Sequence, residues 1–297
     1  MREEVKGHVR QAPGWLRADV VNYARYGVEH GKPRRTLHLP ACTVTLFFGW
    51  GDPIRLHDPY AREREGTTWE AMAAGLCSHA DISEISGTAC GVQVELTPLG
   101  AYRLLGIPLH HLANRATHPQ EILGHRWVAR LTERLVQASD WPEACAVLDD
   151  AITSRLCEGR WPSPVVLEAW SRLRRAHGQV TVSELARTTG RSRRRLETLF
   201  SEQIGLSPKA LARVLRFQKA ITSPPARTLA ETASTCGYYD QAHLNRDFRA
   251  LTNLTPTQIN KLAATATEES TPGRITSIEL TPTSRAPSNP GIRRTVR

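Results

Sequence analysis

The feature that most constrains the fold is an internal repeat in the C-terminal third of the sequence. Thr181–Glu184 and Thr228–Glu231, 47 positions apart, both have the T-x-x-E pattern of a helix capping box. After one inserted residue the correspondence continues at an offset of 48, in the pairs Leu196 and Leu244, and Phe200 and Phe248. Self-similarity of this kind indicates duplicated units, so the segment is predicted to contain one supersecondary motif twice.

Each copy has the sequence pattern of a helix-turn-helix unit. A short capped helix ends near Gly190 in the first copy and near Gly237 in the second, where glycine adopts a positive φ at little cost. A second helix then begins at an N-cap residue, Ser192 or Asp240. The repeated Leu and Phe, four residues apart, are predicted to bury one face of this second helix and to leave the opposite face free.

The free faces carry side chains that suit phosphates and base edges. In the first copy they include Arg191, Arg193, Arg194, Glu197 and Thr198. In the second copy they include Gln241, Asn245, Arg246 and Arg249. A basic run alone is typical of a solvated helix face, but inside a duplicated helix-turn-helix the favoured interpretation is DNA contact.

The segment between the copies, Pro208 to Thr222, is predicted to be one helix of ~15 residues and about 22 Å, ended by Pro224 and Pro225. A rigid connector can hold two recognition helices about one duplex turn apart, ~34 Å. The prediction is therefore a protein that reads two consecutive major-groove segments. Phosphate contact and simple solubility are equally good interpretations of the cations on this helix, which are Lys209, Arg213, Arg216 and Lys219.

The segment from about Val165 to Leu262 resembles the DNA-binding domain of the AraC/XylS family of bacterial transcription regulators, in which a helix bridges two helix-turn-helix units. The stretches that carry this resemblance are Ser183–Gly190, Ser192–Phe200, Ile204–Pro208 and Glu231–Phe248. The resemblance implies base contacts in the first unit at Arg194, Glu197 and Thr198. It implies base contacts in the second unit at Gln241, Asn245 and Arg246.

The sequence departs from the family pattern at three places. Asn253 stands where the family usually has Gly, although Asn tolerates the left-handed region. Tyr238 replaces the commoner Phe. The stretch 257–260 lacks the aromatic and Arg residues that usually follow the final Pro, which weakens the expectation of a DNA-backbone contact there.

The net charge of +10 is concentrated in the same segment. Residues 165–263 have 16 Lys and Arg against 7 Asp and Glu, whereas residues 1–164 have 18 against 19. This asymmetry is typical of a polyanion-binding module joined to a neutral one. The expected partner is double-stranded DNA.

The predicted fold class is α+β, with four regions. A small β-rich domain for sensing or dimerisation occupies 1–118, a helical linker region 119–164, an all-α double helix-turn-helix domain 165–263, and a disordered tail 264–297. Strands are predicted at Thr43–Phe48, Ile82–Ile85 and Gly91–Leu96, and a helix at Pro98–Leu105 with Thr97 as its cap. The first ~118 residues more faintly resemble the β-rich sensor domain of some AraC-like regulators.

Several candidate sites in the N-terminal half have plainer interpretations. Phe48, Trp50, Trp69 and Tyr102 suit a ligand pocket but suit an ordinary core better. His38, Cys42 and His57 are candidates to converge across strands, and His110, His111 and His118 lack a carboxylate or thiol at metal-ligand spacing. We therefore expect neither a metal nor a cofactor.

The sequence shows no catalytic motif, since G-x-S-x-G, H-E-x-x-H, G-x-x-x-x-G-K-[ST] and G-x-G-x-x-G are all absent. The leading hypothesis is a cytoplasmic DNA-binding regulator that is not an enzyme. The alternative is a DNA-repair alkyltransferase or other enzyme fused to an AraC-like module. Further candidate partners are a small-molecule effector of the N-terminal domain, RNA polymerase and a second copy of the chain; no membrane partner is expected.

Overall fold

The structure of the protein is a computed structural model that describes residues 8–57, 66–224, 227–265 and 277–280. Its N-terminal part is an antiparallel sheet and its C-terminal part is helical, which confirms the predicted α+β class. Within the described residues the strands are β1 (His8–Gln11), β2 (Val20–His38), β3 (Val44–Gly51), β4 (Ile54–His57), β5 (Thr67–Trp69), β6 (Ala71–Ala74), β7 (Asp81–Leu96), β8 (Ala116–Thr117) and β9 (Ser277–Leu280).

Two long strands, β2 and β7, form the spine of the sheet. They pair with each other along most of their lengths, from Val20 opposite Leu96 to His38 opposite Asp81. One half of this spine continues outward through β1 on one side and β3, β6 and β8 on the other. The other half carries β9 beside β2, and β4 followed by β5 beside β7. The sheet therefore has two lobes joined by the long antiparallel pair of β2 and β7.

The strand predictions are confirmed in position but not in extent. The two predicted strands Ile82–Ile85 and Gly91–Leu96 are parts of the single strand β7, which passes Gly87 at a φ of 86°. Strand β2 was not predicted, because its sequence contains Gly, Pro33 and several charges that usually interrupt strands. Its pairing shifts register between Val28 and Arg34, and such irregularities let a strand tolerate these residues.

The structure departs from the predicted disordered tail at six of its residues, since 264 and 265 end α11 and 277–280 form β9. Strand β9 pairs antiparallel with the end of β2, and its Ile278 and Leu280 are buried. Alternating buried and half-buried residues let this short strand cover apolar surface of the sheet. Residues 266–276 and 281–297 of the predicted tail lie outside the described residues.

The helices of the described residues follow the sequence pattern closely. They are α1 (Pro98–Leu105), α2 (Pro119–Leu123), α3 (His125–Gln137), α4 (Trp141–Glu158), α5 (Pro164–Arg175), α6 (Val182–Thr188), α7 (Arg193–Gln203), α8 (Pro208–Thr222), α9 (Leu229–Thr235), α10 (Gln241–Thr252) and α11 (Pro256–Thr265). The predicted connector helix has the bounds of α8, and Thr97 caps α1 by accepting from the Gly100 amide. The predicted domain boundaries at 118, 164 and 263 stay predictions.

The helical part packs against the sheet and its neighbouring helices. Ser163 donates its amide to Gln203 at the end of α7, and the Tyr102 hydroxyl donates to Glu202. Gly205 lies so close to the 3-10 turn Leu109–His111 that a Cβ would be 3.1 Å from the Leu109 carbonyl oxygen. The rear surface of the first helix-turn-helix unit is therefore supported by the N-terminal half.

Candidate nucleic-acid interface

The first helix-turn-helix unit begins with a complete capping box. The Glu184 amide donates to the Thr181 hydroxyl oxygen, and the Thr181 amide and hydroxyl both donate to the Glu184 carboxylate. These hydrogen bonds hold the pKa of Glu184 below its ordinary value. Gly190 follows α6 with a φ of 62°, and Ser192 then caps α7. The local sequence thus fixes the angle at which the recognition helix leaves the turn.

The second unit repeats this arrangement with one difference. The Glu231 amide donates to the Thr228 hydroxyl oxygen, but the Glu231 carboxylate accepts from the Arg227 amide instead of closing a box with Thr228. Gly237 has a φ of 79°, and the Asp240 carboxylate caps α10 by accepting from the His243 amide. The predicted turn and cap are confirmed, whereas the predicted second capping box is only half formed.

The repeated apolar pairs form the core of both units. Leu196, Phe200, Leu244 and Phe248 are buried, as predicted. Phe248 packs edge-on against Phe217 of the connector helix, with ring centroids 4.8 Å apart. Asn253 ends α10 in the left-handed region at a φ of 59°, which confirms that Asn serves where the family has Gly. Both recognition helices are therefore fixed by the same buried faces.

The structure places the predicted DNA-contacting residues on the outer faces of α7 and α10. Arg191 lies in the turn before α7, and Asn245 is half-buried. The other side chains are exposed: Arg193, Arg194, Glu197, Thr198, Gln241 and Arg246. Among the described residues no ion pair engages Arg191 or the arginines at 193, 194 and 246. These cations are available to an external anion.

The N-terminus of α7 is electrostatically unusual. Its first turn contains Arg193, Arg194 and Arg195, all exposed, and no acidic residue. The positive end of a helix dipole disfavours cations by a few tenths of a kcal/mol to about 1 kcal/mol each. The same end attracts phosphates. This arrangement lowers the stability of the free helix and favours a bound polyanion.

Three of the four cations of the connector helix form internal hydrogen bonds, a role that neither interpretation of the sequence includes. Arg213 donates to Asp247 of α10 at 3.1 Å, and Arg216 donates to the Gly178 carbonyl at 2.9 Å. Lys219 donates to the Thr235 carbonyl at the end of α9. These bonds join the connector to the second unit and to the end of α5. Lys209 alone of the four is exposed.

Two further exposed side chains lie beside the recognition helices: Arg195, which belongs to the basic run favoured for DNA contact, and Tyr239, which was not predicted as a contact. Arg195 shares the first turn of α7 with the predicted arginines. Tyr239 precedes the α10 cap with 93% of its surface exposed, while its neighbour Tyr238 is buried. The sequence Gly237-Tyr-Tyr-Asp240 marks both tyrosines, but only packing decides which of them points outward.

A cavity of about 120 Å³ lies in the N-terminal part. It is lined from several strands, by residues that include Leu39, Thr43, Met72, Asp81, Glu95 and Ser277. Of the sequence candidates for this part, His38 lines the cavity, whereas Cys42, His57, Phe48, Trp50, Trp69 and Tyr102 do not. His38 hydrogen-bonds Ser83, and the described residues contain no cluster of His, Cys, Asp and Glu arranged to hold a metal ion.

Together the duplicated units, the buried connector and the exposed cations define a DNA-binding protein of the helix-turn-helix class. Residues 185–261 match the family model described as a helix-turn-helix domain. This match confirms the predicted resemblance of the segment, which contains a helix-turn-helix domain of the AraC type. The described residues include no helix long and apolar enough to cross a membrane.

Comparison with solved structures gives distant likenesses. ToxT from Vibrio cholerae is 10% identical with a TM-score of 0.41, over 80% of this chain and 96% of that one. A ToxT structure with bound unsaturated fatty acid is 11% identical with a TM-score of 0.41, over 88% and 97% of the two chains. The xylose-binding activator XylR is 18% identical with a TM-score of 0.30, over 50% of this chain and 40% of its own.

A search of curated protein sequences finds no match for the chain. Because the TM-scores of the structural neighbours lie below 0.5, the resemblance to AraC-type regulators is carried by the sequence match of residues 185–261.

Proposed function

We propose that the protein is a sequence-specific transcription regulator that reads two consecutive major-groove segments with α7 and α10. The observation that carries this proposal is that one helix, α8, packs against both units while both outer faces stay exposed. A continuous 15-residue helix keeps the spacing between the two recognition helices constant. A fixed spacing is what the successive grooves of a duplex require.

The side chains fall into two proposed roles. Arg191 and Arg193 neutralise phosphates, because they lie at the turn and at the first position of α7, where a helix N-terminus meets a DNA backbone. The base edges are read from the second position of α7 onward and from the first turns of α10. The proposed readers are Arg194, Glu197, Thr198, Gln241, Asn245 and Arg246, with Arg as a bidentate partner for guanine and Asn or Gln for adenine.

The test uses a duplex that the purified protein itself selects from a random library. Hydroxyl-radical footprinting should show two protected segments about one turn apart, ~34 Å. Arg194→Ala and Arg246→Ala should each weaken binding to the selected duplex more than to a scrambled duplex. The matched control is Arg134→Ala on helix α3, which removes an exposed ion pair with Asp150 of α4. This variant should change neither affinity. A single protected segment, or equal losses on both duplexes, would contradict the proposed reading.

We further propose that the N-terminal part takes a small-molecule effector. The cavity among its strands carries this proposal, since concave sites with a few convergent polar groups are the usual ligand sites of proteins. One ToxT structure holds an unsaturated fatty acid. Contacts of this chain with RNA polymerase and with a second copy of itself stay predictions.

The alternative of a cysteine-based DNA-repair enzyme gains no support from the two buried thiols Cys145 and Cys236. Burial raises the pKa of the Cys145 and Cys236 thiols above the ordinary value. A nucleophilic cysteine requires the opposite shift, because the thiolate is the reactive form. Incubation of the protein with methylated DNA tests this alternative directly, and transfer of the methyl group to a cysteine would establish it.

A further inference from the structure

The turn of the second helix-turn-helix unit is one residue longer than the turn of the first. Between the turn glycine and the N-cap of the recognition helix lies one residue in the first unit, Arg191. The second unit has two residues there, Tyr238 and Tyr239. Arg191 is thus both the residue after the glycine and the residue before the cap, whereas the longer turn gives these two positions to different side chains.

Tyr238 takes the first of these positions and belongs to the core. Its amide donates to the Ala233 carbonyl at 2.9 Å, as the Arg191 amide donates to the Ala186 carbonyl at 3.0 Å in the first unit. The Tyr238 side chain is buried, and its ring packs edge-on against His243 of α10, with ring centroids 5.3 Å apart. The additional residue of the longer turn therefore fixes the turn against the recognition helix.

Tyr239 takes the second position and points outward, with 93% of its surface exposed. Its amide donates to the His243 Nδ1 atom at 3.3 Å, and the next residue, Asp240, accepts from the His243 amide. The backbone that carries Tyr239 is therefore held by the cap of α10. Single exposed aromatic side chains are common. What distinguishes Tyr239 is that it precedes the cap, where the first unit has Arg191, the side chain already proposed to bind a phosphate.

The start of the second recognition helix has few cations to offer a phosphate. The first turn of α10, residues 241–243, contains no Lys or Arg. The nearby connector arginines, Arg213 and Arg216, face the Asp247 carboxylate at 3.1 and 3.8 Å. A phosphate at this place therefore needs a neutral donor. The tyrosine hydroxyl is a donor that proteins commonly direct at DNA phosphates.

We propose that Tyr239 is a further DNA contact, whose hydroxyl donates a hydrogen bond to a backbone phosphate at the start of α10. This phosphate is the counterpart of the one proposed for Arg191 at the start of α7. The inference rests on the proposed function, because it requires α10 to lie in a major groove. The two units then hold equivalent phosphates by different chemistry, with an ion pair in the first and a neutral hydrogen bond in the second.

The affinity test uses the full chain, the selected duplex and a scrambled duplex. Tyr239→Phe and Tyr239→Ala should weaken binding to both duplexes alike on the order of tenfold, the loss expected for one hydrogen bond to a charged group. The melting temperature should not change, because the side chain is exposed. Trp15→Ala, at a 72% exposed aromatic of the N-terminal part, is the matched control and should keep the affinity. Wild-type affinity in Tyr239→Phe, or a loss on the selected duplex only, would overturn the proposal.

A salt series separates the two kinds of phosphate contact. Tyr239→Phe should leave the slope of log K against log salt unchanged, because a neutral donor releases no counterion. Arg191→Ala should lower the magnitude of this slope by about 1, and Tyr239→Arg should raise it by about 1. An unchanged slope in Tyr239→Arg would place position 239 away from the DNA backbone and refute the contact.

Neutral methylphosphonates, placed one at a time in the selected duplex, locate the phosphate. One substitution should weaken binding by the wild-type protein but not weaken binding by Tyr239→Phe any further, since the hydrogen bond is already lost. The equivalent position for Arg191→Ala should lie about one duplex turn away, ~34 Å. Losses that add at every position would refute the Tyr239 contact alone. If the wild-type protein selects no duplex, the proposed function fails, and this contact fails with it.

Discussion

The two helix-turn-helix units have equivalent apolar cores but place their charges differently. In the first unit the cations around α7 are exposed and engaged in no ion pair with the described residues. In the second unit a buried carboxylate, Asp247, faces Arg213 and Arg216 of the connector and His243 of its own helix. Duplication thus preserved the apolar frame. Both units expose cations, Arg246 among them in the second, but the second unit also forms an internal ion cluster with cations of the connector.

From this difference we expect the two units to contribute differently to DNA binding. Exposed arginines beside a helix N-terminus contribute phosphate contacts, which supply affinity without sequence information. The outer face of α10 instead presents Gln241, Asn245 and Arg246, two of which are neutral amides of the kind that can pair with base edges. We therefore expect salt dependence to come mainly from the first unit and specificity to be shared by both.

The largest loss of folding stability should come from substitutions in the equivalent cores of the two units. Phe200→Ala and Phe248→Ala should each destabilise the protein by about 3–5 kcal/mol, because both side chains are buried and truncation leaves a cavity. Urea unfolding measures this loss. Tyr239→Ala, at a side chain that is 93% exposed, serves as the control and should stay within about 0.5 kcal/mol. A much smaller loss in one copy would show that the two cores are not equivalent.

The second-largest effect should follow from breaking the internal ion cluster of Asp247, Arg213 and Arg216. Asp247→Ala should cost about 2–4 kcal/mol, because it removes the counter-charge of two partly buried arginines. Asp150→Ala removes the partner of Arg134 at an exposed pair and should cost no more than about 1 kcal/mol. Both variants are compared by urea unfolding at low and high salt. Equal costs would mean that the second unit does not depend on its cluster.

The third-largest effect concerns DNA affinity and its dependence on salt. Arg193→Ala and Arg195→Ala should each weaken binding to all duplexes alike and lower the slope of log K against log salt by about 1. Arg246→Ala should cost about 1–3 kcal/mol on the selected duplex only. Fluorescence anisotropy over a salt series separates the two behaviours. A strong change of salt slope in Arg246→Ala, with none in Arg193→Ala, would reverse the division between the units.

The sequence predicted the helical part well, because its determinants are local. Caps such as Ser192 and Asp240, the glycines after α6 and α9, and the Leu–Phe spacing act within one turn of a helix. The outer faces followed from these, although their contacts with DNA stay a prediction. The packing of Asp247 with Arg213 did not follow, since the two residues are brought together only by tertiary structure.

The sheet was predicted poorly, because its determinants are long-range. Strand β2 contains residues that disfavour strands and is stabilised by pairing with residues of β7 that lie 43 to 76 positions away in the chain. Strand β9 follows a polar segment and has only two buried apolar residues, so its local signal is weak. The cavity depends on both of these strands, and its lining residues therefore could not be assembled from sequence patterns.

A smaller effect should appear at the N-terminus of α7. Arg193→Glu should stabilise the free protein by about 0.3–1 kcal/mol, because it replaces a cation with an anion at the positive end of the helix dipole. The same change should weaken DNA binding. Thermal melting and anisotropy on one preparation measure both quantities. Loss of stability would show that the arginine has a structural role in the free protein.

The smallest expected difference lies between the two helix caps. Thr181→Ala should cost ~1 kcal/mol, and Thr228→Ala somewhat less, because only the first cap also donates to its Glu partner. Since the pKa of Glu184 is lowered in the folded state, its contribution is present above the pKa it has when unfolded and is lost as pH falls through the lower, folded value. The cost of Thr181→Ala, measured by thermal melting, should therefore shrink in acid. A cost that grows as pH falls would contradict the charged cap.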